Sequence, residues 1–295
     1  MPAWNDLLGE INLVETPHDR VRRKYLKEIS EHTERNTIIY YSGWMQKAAS
    51  EDIEIGISDE DKNGFMSTIH KLDRSKGLDL FLHTPGGNFA ATESIVRYLR
   101  SMFGTDIRAI IPQQAMSGGT IMALSCNSII LGKSSSMGPI DPQLNGMAIN
   151  GILEELIQIK KEVVDNPNMA PLWQPILQKY PPGFIVECKN IIEWSKNITT
   201  EFLQTNMFLN RTVEEINGVV EHLTEKSIVK THGRQIALEE AKDIFGECNI
   251  ITLEDNQELQ DLVLTIHHAT MITLQQTPAY KLIENQDGAA YIKMR

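Results

Sequence analysis

The stretch Gln113-Gln114-Ala115-Met116-Ser117-Gly118-Gly119-Thr120 decides how this chain folds. It sets a serine between apolar residues and a glycine pair. It follows the apolar segment Ile107-Arg108-Ala109-Ile110-Ile111 and precedes the helix-compatible run Ile121-Met122-Ala123-Leu124. A second glycine pair, Thr84-Pro85-Gly86-Gly87, ends the run Leu78-Asp79-Leu80-Phe81-Leu82. Two strands that each end in a glycine turn, the second opening a helix at a serine, form the geometry acyl transfer needs. The serine supplies an oxygen nucleophile. Glycine backbone allows N–H groups to come close to a developing oxyanion.

Working outward, Thr37 to Gly43 is β-branched and aromatic and predicts a strand. Ser58-Asp59-Glu60-Asp61 predicts a helix start with Ser58 as N-cap. Asn88 to Phe103 carries Ala91, Ile95, Val96, Leu99 and Met102 at helical spacing, and Ser128 to Gly132 predicts a further strand. Alternating strands and helices with short glycine turns imply an α/β fold with a mostly parallel sheet, whose ligands bind at the carboxyl ends of the strands. From Asn150 the chain turns helical, with helices predicted over Ile152 to Val164, Phe184 to Phe208 and Thr212 to Leu223 and prolines breaking the interval between the first two. Ala237 to Phe245 predicts a helix and Asn249 to Leu253 a late strand, whereas Tyr280 to Arg295 lacks a clear period and predicts loose order.

A chain of 295 residues can bury a large core. With 28 basic and 39 acidic residues the net charge is −11, which disfavours nucleic acid or anionic lipid as a default partner. No apolar run approaches membrane-spanning length, and Met1-Pro2-Ala3-Trp4-Asn5-Asp6 is not a signal peptide, so a cytoplasmic protein is expected. Cys126, Cys188 and Cys248 are widely spaced, in neither a disulfide framework nor a zinc pattern. His267-His268 lacks a metal-ligand partner at the usual spacing, so no metal is expected. Neither a P-loop nor a Rossmann fingerprint is present, so no cofactor and no ATPase activity of its own are expected.

Four segments in order resemble the Clp/crotonase-fold serine peptidases, most closely the serine dehydrogenase proteinases and more distantly signal peptide peptidase A. They are Leu82 to Gly87, Ala115 to Gly119, Ser136-Met137-Gly138-Pro139-Ile140-Asp141-Pro142-Gln143, and His232-Gly233-Arg234-Gln235-Ile236. Arg35 to Trp44 also looks like that family's N-terminal region. The resemblance implies a Clp/crotonase-like fold of repeated β-β-α units, with a peptidase domain over 36–254 and a helical insertion over about 150–223. A helical extension (1–35) and a C-terminal extension (255–295) flank it. Carried over by position, Ser117 is the nucleophile, and the N–H groups of Gly87 and Gly118 are the oxyanion donors. Gly86 and Asn88 are placed to bind substrate. The resemblance further implies a polypeptide substrate, homo-oligomerisation and room for a separate ATP-dependent unfoldase. The family name invokes a dehydrogenase, but no nucleotide-binding motif supports one here.

The base does not follow the Clp pattern, because no histidine lies between Ser117 and Glu221. The related membrane-associated proteases use a lysine, which can accept a proton only when burial lowers its pKa. Lys160 and Lys161 are the candidates. On a helix, Ile152, Leu153, Leu156, Ile157, Ile159, Val163 and Val164 form one apolar arc. Lys160 lies near its centre and Lys161 at its edge, which favours Lys160. His83 predicts a structural histidine at a strand end, Asp141 a turn cap, and His232 a residue that could reach the site only through the fold or a neighbouring subunit. Two rival readings are a catalytically inactive Clp-fold scaffold that binds peptides or partner proteins, and a crotonase-type enzyme acting on an acyl thioester.

Overall fold

Near-continuous apolar runs such as Thr37-Ile38-Ile39-Tyr40-Tyr41 suit strands buried on both faces, as in a parallel sheet covered by helices. The computed structural model describes residues 16–47, 54–144, 147–224 and 234–295, and it shows that arrangement. Helix α1 (Pro17–Thr33) leads into β1 (Asn36–Ser42), and α2 (Asp61–Ile69) leads into β2 (Leu78–His83). Helix α3 (Phe89–Phe103) and β3 (Ile107–Ile111) follow, then the two-residue β4 (Gln114–Ala115), the short α4 (Gly118–Leu124) and β5 (Ser128–Leu131). Short strands β6 (Ser136–Met137), β7 (Gln143–Leu144) and β8 (Met147–Ala148) lead to the helices α5 (Ile149–Asp165), α6 (Ala170–Leu177), α7 (Phe184–Gln204) and α8 (Val213–Thr224). The chain closes with β9 (Ile236–Ala237), α9 (Leu238–Phe245), β10 (Ile250–Thr252), α10 (Gln257–Gln276), β11 (Ala279–Asn285) and β12 (Ala290–Met294).

Seven strands make one sheet in the order β10-β5-β3-β2-β1-β11-β12. The first five run parallel to their neighbours, and β11 is antiparallel to both β1 and β12. Alternate residues of each strand serve the two faces. Ile38, Tyr40, Leu80 and Leu82 pack in the larger core with Ile95 and Leu99 of α3. Ile39, Tyr41, Phe81 and Ile110 pack in a second core with Leu26 and Ile29 of α1 and Val263 and Ile266 of α10. A small second sheet, β4-β6-β9, sits beyond the carboxyl end of β3 and carries the turn into Ser117.

Two expectations are corrected. Tyr280 to Arg295 is not loose, because β11 and β12 complete the main sheet. Its apolar period is hidden by charged residues that are themselves buried and paired. Lys281 meets Asp61, and Glu284 meets Arg22 and Arg23. The second correction concerns the helix expected from Ser58, which starts at Asp61. There the carboxylate of Asp61, turned inward toward Lys281, accepts the Ser58 N–H at 2.9 Å.

Helices α5 to α8 form an arm. Its base joins the body through Ile198, Phe202 and Leu203 of α7 and Ile216, Val220 and Leu223 of α8. Its outer part has a small core of its own, built on Ile149, Ile152, Phe184 and Cys188. The proline-rich interval between the predicted helices holds α6, with Pro175 inside it. Among the described residues, no helix is long and apolar enough to cross a membrane.

Candidate active site

Ser117 joins β4 to α4 in a left-handed backbone conformation, φ 50° and ψ −112°. A side chain in that region stores about 1–3 kcal/mol of strain and persists only where its surroundings over-determine it. Here they do. Thr84 brackets the approach, its N–H donating to Gln114 O (3.1 Å) and its carbonyl accepting from Met116 N–H (3.0 Å). After the turn, the Gly119 N–H donates to Met116 O at 2.8 Å. The Thr120 hydroxyl lies 2.9 Å from the carbonyls of both Ala115 and Gly138.

Glycine is required around this serine for space. A Cβ on Gly86 would lie 2.7 Å from Ser117 Cβ, and one on Gly118 would lie 2.7 Å from Thr92 Oγ1. A Cβ on Gly138 would lie 3.1 Å from Ser117 N. Bringing backbone this close is what the missing side chain allows.

Gly87 is oriented by a strand segment that the sequence reading missed. Ile57 forms a parallel bridge to Gly87, with Ile57 N–H donating to Gly86 O and Asn88 N–H donating to Ile57 O, each at 2.8 Å. Backbone groups alternate in direction along a strand, so residue 87 turns its own N–H and C=O away from Ile57. A Cβ on Gly118 would lie 3.6 Å from the Gly87 nitrogen, so the two glycines adjoin on that side. Among the described residues, neither the Gly87 N–H nor the Gly118 N–H has a hydrogen-bond partner.

Ser117, Gly87 and Gly118 line one cavity of about 580 Å³. Phe89, Ile121, Ile140, Ile191 and Trp194 give it apolar walls. Trp194, from α7, rests edge-on against Phe89 (ring centroids 4.6 Å apart) and donates its indole N–H to Glu93 at 3.0 Å. Of the described residues lining the cavity, Asp141 alone is titratable; it is buried and accepts from Asn150 Nδ2 at 3.4 Å.

The structure brings together Ser117, Gly87, Gly118, Gly86 and Asn88, but not Lys160. Lys160 is exposed on α5 and lines a separate cavity with Trp173 and Leu177, between α5 and α6. The apolar arc that favoured it is only partly buried, through Ile152 and Ile159, so Lys160 faces water in this chain. Lys161 is exposed as well. Among the described residues the Ser117 hydroxyl has no hydrogen-bond partner. Gly86 spends both backbone groups internally, its N–H on Thr84 Oγ1 (3.2 Å) and its carbonyl on Ile57. Asn88 caps α3 through Ala91 N–H at 3.0 Å. Both also line the Ser117 cavity.

His83 lies on the opposite face of the sheet, wholly buried among Tyr41, Trp44 and His267. Burial, with help from His267, pulls its pKa down to about 3, and neither ring nitrogen has a partner. It is a core histidine, as its strand-end position predicts. His232 lies outside the described residues. No cluster of metal-ligating side chains occurs among the described residues.

Residues 19–170 match the family of ClpP-like SDH-type serine proteinases, just over half of the chain. This chain belongs to that family. The proteinase is also similar to two Methanocaldococcus jannaschii proteins, the uncharacterized MJ0137 (33% identical over 113 residues) and MJ1495 (36% over 109 residues). Those alignments cover 38% and 37% of this chain, and 39% and 37% of the relatives, so the likeness spans well under half of each partner. Two structures of the 1510-N membrane-bound stomatin-specific protease, both alanine variants and one of them in complex with a substrate peptide, are distant likenesses. They have TM-scores of 0.40 and 0.41, identities of 19% and 20%, and cover 70% of this chain and 79% and 74% of theirs.

Proposed function

We propose that this serine proteinase cleaves peptide bonds internally, with Ser117 as nucleophile, the Gly87 and Gly118 N–H groups as oxyanion donors and Lys160 as general base. The observation that carries this reading is a strained serine that lines one cavity with two adjoining glycines, whose backbone N–H groups have no partner among the described residues. Ser117 Oγ adds to the scissile carbonyl carbon, and the carbonyl π pair moves onto oxygen between the two N–H groups. The serine proton passes to Lys160 Nζ and then to the leaving amine as the C–N bond breaks. Water hydrolyses the acyl-enzyme by the same route in reverse.

Lys160 does not line the Ser117 cavity, so this assignment requires either movement of the arm or a second copy that supplies the lysine. The exposed apolar residues Ile157 and Val164, three before and four after it on the same helix, suit contact between copies and support the homo-oligomer. A cytoplasmic setting, and a separate unfoldase that would feed the enclosed site, belong to the same proposal.

Fluorophosphonate labelling of the wild type, Lys160→Ala, Lys161→Ala and an equimolar mixture of Ser117→Ala with Lys160→Ala tests it. Labelling slowed about 100-fold or more in Lys160→Ala and unchanged in Lys161→Ala supports the dyad. Recovery in the mixture assigns the lysine to a second copy. Full labelling of Lys160→Ala removes Lys160 from the mechanism.

A further inference from the structure

The segment that aims Gly87 is itself tethered from below by a buried ion pair. Lys281 of β11 is fully buried. Its Nζ donates to the Gly56 carbonyl at 2.6 Å and contacts both carboxylate oxygens of Asp61, at 3.0 and 2.9 Å. Asp61 is also fully buried, and it accepts the Tyr40 hydroxyl at 2.8 Å and the Ser58 N–H at 2.9 Å. Lys281 and Asp61 thus grip the backbone on both sides of Ile57: the carbonyl of residue 56 on one side and the N–H of residue 58 on the other. Ile57, held between them, bonds Gly86 and Asn88, the two neighbours of Gly87.

An ion pair withdrawn from water costs desolvation that a well-packed apolar pair would avoid, so it is weak evidence of a purely stabilising role. Apart from the Tyr40 hydroxyl, its bonds outside the pair end on the one segment that orients the proposed oxyanion donor. Contact is close along that path. A Cβ on Gly56 would lie 3.2 Å from Gly86 O and 3.3 Å from Gly87 Cα, so a shift of residue 56 is passed directly to Gly87.

We infer that Lys281 and Asp61 are positioning residues for the reaction, holding Gly56-Ile57 so that the Gly87 N–H points at the oxyanion. The inference rests on the Ser117 reading above. A donor displaced by about 1 Å costs about 100-fold in transition-state stabilisation while leaving ground-state binding almost untouched.

The test compares two ligands with the same apolar side chains on the wild type and on Lys281→Met/Asp61→Asn, a variant that removes both charges together. Acetyl-Leu-Leu-leucinal forms a hemiacetal with Ser117 and places its oxygen in the hole. The free acid acetyl-Leu-Leu-Leu binds without an adduct. The expected result is aldehyde affinity lower by about 10- to 100-fold, with acid affinity changed by less than about twofold and the cooperative melt retained. Equal losses for both ligands, no loss for either, or a variant without a cooperative melt would overturn the inference, because the pair would then serve the fold or nothing. A wild type that takes neither aldehyde nor fluorophosphonate defeats the Ser117 reading itself, an outcome distinct from these.

Discussion

Lys160 and Lys281 sit in opposite settings, and so do the regions that carry them. Lys281 is sealed in the body with its three donors committed to Asp61 and Gly56. Burial lowers its pKa, and the charge of Asp61 opposes that shift. Lys160 stands in water on the arm, one turn from Val164, which is 72% exposed. In the proposed mechanism the body holds one half of the catalytic site, with Ser117 and the backbone donors locked by glycine packing and interstrand hydrogen bonds. The arm holds the proposed base on an exposed, partly apolar surface. On that proposal preorganised electrostatics belong to the body, and proton transfer falls to a part that must come into place.

The largest effect that could break this contrast lies at the strained serine. Replacing it as Ser117→Gly should lower peptide hydrolysis by at least about 1,000-fold in a peptide-substrate assay. The same change should raise stability by about 1 kcal/mol in urea unfolding, because glycine relieves the positive φ. Unchanged stability would mean that the turn is not strained.

Gly87→Ala comes next. Its Cβ would lie 2.1 Å from Ile57 N, and Gly87 has φ +157°. The bridge must open, and the fluorophosphonate labelling rate should fall about 100-fold with a lower melting temperature. Retention of full labelling would remove Gly87 from the hole.

Acid sensitivity should also belong to the body. The folded-state pKa values of His83 and His267 are lowered from 6.5 to about 3 and about 4, chiefly by burial. Between those values and 6.5 the unfolded chain binds more protons than the folded one, so stability falls as pH falls through that window. The slope for each ring reaches about 1.4 kcal/mol per pH unit. Urea titrations across the window should show it, and His83→Phe should reduce the slope by about half, leaving the His267 contribution.

The smallest effect is expected on the arm surface. Val164→Ser should change the stability of the isolated chain by less than about 0.5 kcal/mol but weaken the proposed contact between copies, which sedimentation would read as a lower mass. An unchanged mass would place Val164 outside that contact.

What the sequence makes legible is what it encodes locally. The strands from Thr37 to Leu131, the helix capped by Asn88 and the two glycine turns each carry their signal within a few residues, and the turns come together because parallel strands end on one side. The clamp beneath Gly87 has no such signature. Lys281 and Asp61 are 220 residues apart, and the charges of Lys281 and Glu284 interrupt the apolar pattern that would have marked β11 as a strand. The arc around Lys160 is legible only in part, for the complementary reason. Apolar spacing reports a face that needs covering and does not say whether the same chain covers it.

The most direct measurement is to map the fluorophosphonate adduct on the intact wild-type protein by mass spectrometry, with Ser117→Ala alongside. The account predicts a single adduct on the peptide containing Ser117 and none on the variant. An adduct that survives in Ser117→Ala, or one that maps to another serine, would contradict it.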